Sequence, residues 1–230
     1  MSETKRLNID EIKEKLSNPE YIEKMRLQHE QDEAKKQQTE LNARLKNCNI
    51  PTIFNDACFS NWLTDTEERM KILTTARRYV SYVSNVRRIG AVLKGTTGTG
   101  KSRMAASIAR ELMERGKHVL FLMSLEIDSK IDKQAYTIEY LIIDDIGLAD
   151  TDYATKTAIM KLIARRYYNG VVTIITTNNE GEELSKQINK AILFRIGSNA
   201  VTMDFSGIKN KRTEESKEID NDFNNYEVAE

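Results

Sequence analysis

A chain of 230 residues, 40% hydrophobic and 30% charged, is long enough for one sizeable core plus an extension. No run approaches the about 18 consecutive apolar residues that a membrane span needs, and the opening MSETKRLNIDEIKEKL lacks the apolar stretch of a secretory signal. The formal net charge of zero hides a basic body, 24 basic against 18 acidic side chains over residues 48–212, and an acidic end, one against seven over 213–230; this permits contact with nucleic acid without requiring it.

Asn8 followed by Glu11 has the spacing of a capping box and opens a short first helix. Asn18 and Pro19 then suit the cap and first turn of a long helix reaching about Lys46. Tyr21, Ile22 and Met25 share a face at its start, and Leu41 and Leu45 return near its end. Between them QHEQDEAKKQQTE offers one apolar residue, Ala34, and cannot bury much surface. The extension 1–46 reads either as a solvated helix or as a partner-binding arm. At NCNIPTIFNDACFSNWL the character changes: Pro51 breaks the helix, and Ile50, Ile53, Phe54, Phe59 and Trp62 supply anchors for a compact domain over 47–212. A helix follows across 65–84, with Met70, Leu73, Ala76, Val80 and Val83 at helical spacing. Short apolar strands then alternate with helices: IGAVLKG, KHVLFLMS, YLIID and VVTIITTN as strands, 101–116 and 152–170 as helices, and NAVTMDF as a last strand. Continuous Val/Ile/Leu runs alternating with helices predict an α/β fold, a parallel sheet covered on both faces. Residues 213–230 are acidic and core-poor, the composition of a disordered tail. Cys48 and Cys58 are too far apart for a CxxC motif, and His29 and His118 lack ligand-like neighbours; reduced cytoplasmic thiols and no histidine metal site are expected.

Two stretches carry chemistry. GTTGTGKS, residues 95–102, fits G-x-x-x-x-G-K-[ST] and lies between a strand and a helix, the context this phosphate loop requires. Gly95, Gly98 and Gly100 let the backbone around Thr96, Thr97 and Thr99 turn its N–H groups toward phosphate oxygens. The helix N-terminus adds its dipole, Lys101 reaches the β- and γ-phosphates of ATP, and Ser102 offers a hydroxyl to Mg²⁺. YLIIDDIG, residues 140–147, supplies the acids: Asp144 to hold the metal and Asp145 to deprotonate the attacking water. Asp145 stands where many ATPases have glutamate, a loss of reach of about 1.5 Å that a small backbone shift recovers. VVTIITTNN ends in Asn178, which touches the γ-phosphate or the water if its strand lies between those of the other two motifs, and otherwise is a turn. Arg195, in KAILFRIGSNAV, reads as a surface ion-pairing residue or as one completing a neighbouring subunit's ATP site. KNKR, 209–212, contacts phosphate or simply solvates a terminus.

These motifs in this order resemble the AAA+ ATPases, specifically the DnaC/DnaI/IstB group, and NIPTIFNDACFSNW resembles the stretch preceding that group's core. The likeness covers about residues 47–212. It implies a P-loop NTPase fold of the AAA+, ASCE type: a three-layer sandwich around a parallel sheet, preceded here by a helical extension. It further implies an ATP-hydrolysing loader of a hexameric replicative DNA helicase, acting as an ATP-dependent homo-oligomer that in some cases contacts single-stranded DNA. Lys101, Ser102, Asp144 and Asp145 are then the ATP–Mg²⁺ site, Asn178 the sensor 1 residue, Arg195 the arginine finger, and Lys211 or Arg212 the sensor 2 position. Residues 1–46 correspond to the helicase-gripping region. The chain departs from the group in lacking an N-terminal zinc-binding cysteine cluster. It also has only about fifteen residues before YLIID, where elements touching single-stranded DNA lie in the group. Its compactness and acidic tail suggest a phage or prophage version. The alternatives are an IstB-like transposition helper and a module that uses ATP as a switch without hydrolysis.

Overall fold

The computed structural model describes residues 17–86, 88–128, 130–147, 152–178 and 200–210. Contacts divide the chain into two units, Met1–Ala43 and Arg44–Glu230. The capping box expected at Asn8 and Glu11 lies outside the described residues.

Helix α1 (Pro19–Asn47) occupies the described part of the first unit and ends in the second. Its start follows the sequence signal: Asn18 Oδ1 accepts the N–H of Glu20 at 2.9 Å, and Pro19 takes the first position. None of its residues is buried, and Ile22, Met25 and Leu27 lie exposed. What supports it locally are side-chain pairs one turn apart, Arg26 with Glu23 and Glu30, and Gln28 with Asp32, each contributing only tenths of a kcal/mol by the measured range of about 0.2–0.5 kcal/mol.

Among the described residues the second unit is built on five parallel strands: β1 (Gly90–Lys94), β2 (Val119–Met123), β3 (Tyr140–Ile146), β4 (Val172–Thr177) and β5 (Ala200–Asp204), in the order β2-β3-β4-β1-β5. Helix α2 (Glu67–Asn85) precedes β1, and α3 (Lys101–Glu114), the single turn α4 (Gln134–Thr137) and α5 (Tyr153–Tyr168) follow β1, β2 and β3 in turn. On one face Leu120, Leu122, Leu141, Ile143, Ile146 and Ile175 pack against Ile159, Leu162 and Ile163 of α5. The alternate residues, Phe121, Ile142 and Ile174, point to the other face, where α3 buries Met104, Ile108 and Leu112 completely. The outer edge of β2 is covered by the chain entering the unit, where the N–H of Phe121 donates to the carbonyl of Cys48 at 2.7 Å.

Two expected anchors fall elsewhere. Ile53 is 74% exposed, because Thr52–Phe54 form a 3₁₀ turn on the surface. Met70 is exposed on α2, and the buried position beside it belongs to Arg69, whose charge is met by both oxygens of Asp65 at 2.8 Å. Helical periodicity ranks a methionine above an arginine for the core, but an arginine with a carboxylate one turn away can be buried.

The short link between β2 and β3 holds the 3₁₀ turn Ser124–Glu126 and α4. Fully buried Arg166 of α5 ties it down, donating to the carbonyls of Ala135 at 2.6 Å, Ile138 at 3.1 Å and Val172 at 2.5 Å, and to the Thr173 hydroxyl at 3.0 Å. Burial pushes its pKa down to about 9, still above neutral pH, so the guanidinium stays charged. Replacing Arg166 by Met leaves the buried carbonyl of Ala135 and the half-buried carbonyl of Ile138 without this donor, at roughly 1–2 kcal/mol each. The expected loss is roughly 3 kcal/mol, a fall in Tm on the order of 10 °C by thermal melting; an unchanged Tm would refute this role.

Candidate functional site

The loop between β1 and α3 turns through glycines at positive φ. Gly95 (φ 138) lies so close to Phe205 that a Cβ there would sit 2.9 Å from its backbone, and at Gly100 (φ 96) a Cβ would sit 2.9 Å from the ring of Trp62. The clamp on Gly95 comes from β5: the Phe205 N–H donates to the Lys94 carbonyl at 2.8 Å, and Lys94 pairs with Asp204 at 3.0 Å. The clamp on Gly100 comes from the segment before α2. There Trp62 donates its indole N–H to the Arg69 carbonyl at 3.1 Å and stands edge-on to Phe205, ring centres 6.3 Å apart. α3 itself holds that segment. Arg103 pairs with Asp56 at 2.7 Å, and Arg110 donates to the carbonyls of Ala57, at 2.9 Å, and Asn55. Lys101 is buried at the helix start, its Nζ 2.7 Å from the Thr96 carbonyl.

The acids lie at the end of β3. Strand alternation places Asp144 on the face of Ile142, toward α3, whose first turn carries Ser102. By the same rule Asp145 would point to the opposite face, among the residues packed on α5. It does not. Pairing with β4 shifts register between Ile143 and Ile146, and Asp145 takes the left-handed φ of 62°. This β-bulge inserts one extra residue, so Ile146 takes the place on the α5 face and Asp145 turns into the cleft. Both acids therefore end on one side.

Hydrogen bonds from neighbouring strands hold this geometry. The Asp145 N–H donates to Thr176 Oγ at 2.8 Å, and the Thr176 hydroxyl donates to Asp144 Oδ1 at 2.6 Å. Ser124, past the end of β2, donates to the Asp145 carbonyl at 2.8 Å, and Asn178 Nδ2 donates to Asp145 Oδ1 at 2.7 Å. Burial pushes the Asp144 carboxyl above its usual range and the neighbouring Asp145 charge adds to that, while the hydroxyls of Thr176 and Ser102 and the charge of Lys101 pull it back.

A cleft of about 470 Å³ joins these parts. One end is lined by Thr97–Ser102, Asp145 and Asn178; Ile53, Phe54, Trp62 and Leu63 add an apolar wall, with Arg69 among its polar residues. β4 does lie between β1 and β3, which brings Asn178 to the acid pair. Ser124 and Arg69 carry no signal in the sequence pattern that marks them for the site, and Trp62 reads there only as a core anchor. Thr176 offers only a hydroxyl inside the apolar run VVTIITT. Arg195, Lys211 and Arg212 lie outside the described residues.

Because its folded pKa is raised, the Asp144 carboxylate costs stability at neutral pH and not below its unfolded pKa of about 4. Replacing Asp144 by Asn is expected to raise the Tm of the ligand-free protein by about 2–4 °C at pH 7, with the gap closing as pH falls toward about 4. A lower Tm at pH 7 would mean the carboxylate is net stabilising.

Residues 10–200 match the family described as IstB-like ATP binding protein. The replicative helicase loader DnaC of Escherichia coli (strain K12) is 26% identical over 162 residues, 64% of this chain and 65% of that relative, so the match spans just under two thirds of the relative's length. A protein of insertion sequence IS21 from Pseudomonas aeruginosa is 27% identical over 143 residues, 53% of each chain. The crystal structure of the DnaC helicase loader has the same fold, with a TM-score of 0.62 at 19% identity, covering 69% of this chain and 100% of that one.

Proposed function

The chain belongs to the family of IstB-like ATP-binding proteins, and from that premise we propose that it binds and slowly hydrolyses ATP in order to load or remodel a replicative DNA helicase. The observation that carries this reading is the single cleft in which Lys101, Ser102, Asp145 and Asn178 meet beside buried Asp144. The loop amides and Lys101 bind the phosphates, with Lys101 exchanging the Thr96 carbonyl for phosphate oxygen. A buried carboxylate next to a hydroxyl is a donor set that suits Mg²⁺, which takes one or two carboxylates and fills the rest of its shell with phosphate and water oxygens. Asp144 and Ser102 would hold such an ion, which would supply charge neutralisation at the phosphates. Asp145 orients and deprotonates the attacking water. The bulge displaces its backbone from a regular strand, which supports the view that an aspartate serves where a glutamate is more usual. Asn178 positions Asp145 and the water together.

The loader assignment rests on the similarity to DnaC. In this reading residues 1–46 form the helicase-binding arm, residues 47–212 the ATP-binding domain and residues 213–230 an acidic tail. The exposed Ile22, Met25 and Leu27 are available on α1 for such a contact. Arg195 acts across subunits of a nucleotide-dependent homo-oligomer. A specific contact favours a second reading, a switch that holds ATP without turnover: the Asp145 carboxylate is already engaged by Asn178 at 2.7 Å.

Turnover separates the two. ATP hydrolysis by the full chain is expected to rise when a hexameric replicative helicase and single-stranded DNA are added. An Asp145→Asn variant should lose about 10²–10⁴-fold in kcat, the range expected for a general base, while retaining nucleotide binding. Helicase loading unaffected in Asp145→Asn would favour the switch, and no turnover under any combination would end the hydrolysis reading. Deleting residues 1–46 should abolish helicase binding and leave nucleotide affinity intact; retained helicase binding would refute the arm.

A further inference from the structure

We propose that Thr176 is a positioning residue for the acid pair: one hydroxyl oxygen holds the bulge that turns Asp145 into the cleft and orients Asp144 beside it. This rests on the reading of the cleft as an ATP site.

In a regular parallel ladder the N–H of each paired residue meets a carbonyl of the next strand. The shift between Ile143 and Ile146 takes Asp145 out of that ladder, and its N–H goes instead to Thr176 Oγ at 2.8 Å. The side chain of β4 thus supplies the acceptor that its backbone does not. An amide N–H can only donate, so the hydroxyl accepts from it, and its own proton is free for a second acceptor. That acceptor is Asp144 Oδ1, at 2.6 Å. The two bonds fix the direction of the whole relay, from Asp145 N–H through the hydroxyl to the Asp144 carboxylate.

Thr176 is fully buried, as is its neighbour Ile175, so water cannot replace it without opening the core. Its relay joins the backbone of one acid to the side chain of the other. Asp145 faces the cleft because its backbone is bulged and left-handed, and Asp144 presents its second oxygen because the first is held. Valine has the shape of threonine and favours a strand equally, but it offers neither bond. Serine offers both and loses only a methyl group. The hydroxyl, and not the volume, is therefore what the site uses.

The test compares Thr176→Val, Thr176→Ser and Thr176→Cys in the full chain, with folding checked by circular dichroism. Affinity for Mn²⁺ is measured by electron paramagnetic resonance in the presence of a non-hydrolysable ATP analogue, and kcat for ATP is measured in parallel. Thr176→Val is expected to weaken Mn²⁺ binding and kcat by about 10–100-fold, Thr176→Ser by less than about threefold, with metal-free nucleotide affinity unchanged within about twofold. If Thr176→Val does not fold, Thr176→Cys, a weak donor and acceptor of similar size, reads the same comparison. Wild-type values in Thr176→Val or Thr176→Cys, or a loss in Thr176→Ser as large as in Thr176→Val, would overturn the inference while leaving the ATP site standing. A wild-type chain that binds the analogue without any dependence on metal would remove the ATP–metal reading and this inference with it.

Discussion

Consecutive residues of a β-strand point to opposite faces of the sheet, yet Asp144 and Asp145 end on the same side. The conflict is resolved at one point, the bulge at Asp145, where a left-handed φ of 62° returns the chain to alternation one residue late. The surroundings are arranged about that irregularity. β4 must lie next to β3 for Thr176 to reach it, and β4 must lie next to β1 for Asn178 to stand near the phosphate loop. The crossed strand order, with β4 inserted between β1 and β3, meets both needs. Ser124, just past β2, holds the other side of the bulge through the Asp145 carbonyl.

The arrangement carries an energetic burden that the rest of the unit offsets. A carboxylate is buried at Asp144, and an aspartate is held in a sparsely populated backbone region beside it. Such features persist where neighbouring structure over-determines them, and they concentrate at working sites. Here the neighbouring structure is identifiable. The phosphate loop is fitted between Phe205 and Trp62 so closely that neither Gly95 nor Gly100 tolerates a side chain. The segment carrying Trp62 is held by two arginines of the same helix that the loop begins. On the far face Arg166 ties the short link between β2 and β3 to β4, with bonds to the carbonyls of Ala135 and Ile138 in the link and to Val172 and Thr173 in the strand.

The fold is legible in the sequence because each strand is a short apolar run and each helix carries its own boundary signals, as with Asn18 and Pro19 at the start of α1. The phosphate loop and the two aspartates are legible as local patterns, and their meeting in one cleft follows once the strand order is known. What is not legible depends on pairing between distant segments. The bulge needs the register of β3 against β4, which no local pattern in YLIIDDIG encodes. Thr176 reads as one more β-branched residue until its hydroxyl is seen to have two partners. Arg69 and Met70 exchange their expected places because burial of the arginine depends on Asp65 as a local counter-charge, whereas periodicity weighs only hydrophobicity. Arg166 sits in the last turn of a helix, where a basic residue ordinarily faces solvent, and its partners come from the link between β2 and β3 and from the start of β4.

On the reading proposed above, the loop at Lys101 and the buried acid pair form a single metal-assisted nucleotide site. Titration calorimetry of the full chain with a non-hydrolysable ATP analogue, in the presence and absence of Mg²⁺, tests it directly. Binding is expected to tighten with Mg²⁺ in the wild-type chain, to lose that dependence in Asp144→Ala and to be abolished in Lys101→Ala. Binding that is indifferent to Mg²⁺, or that survives the loss of Lys101 unchanged, would contradict it.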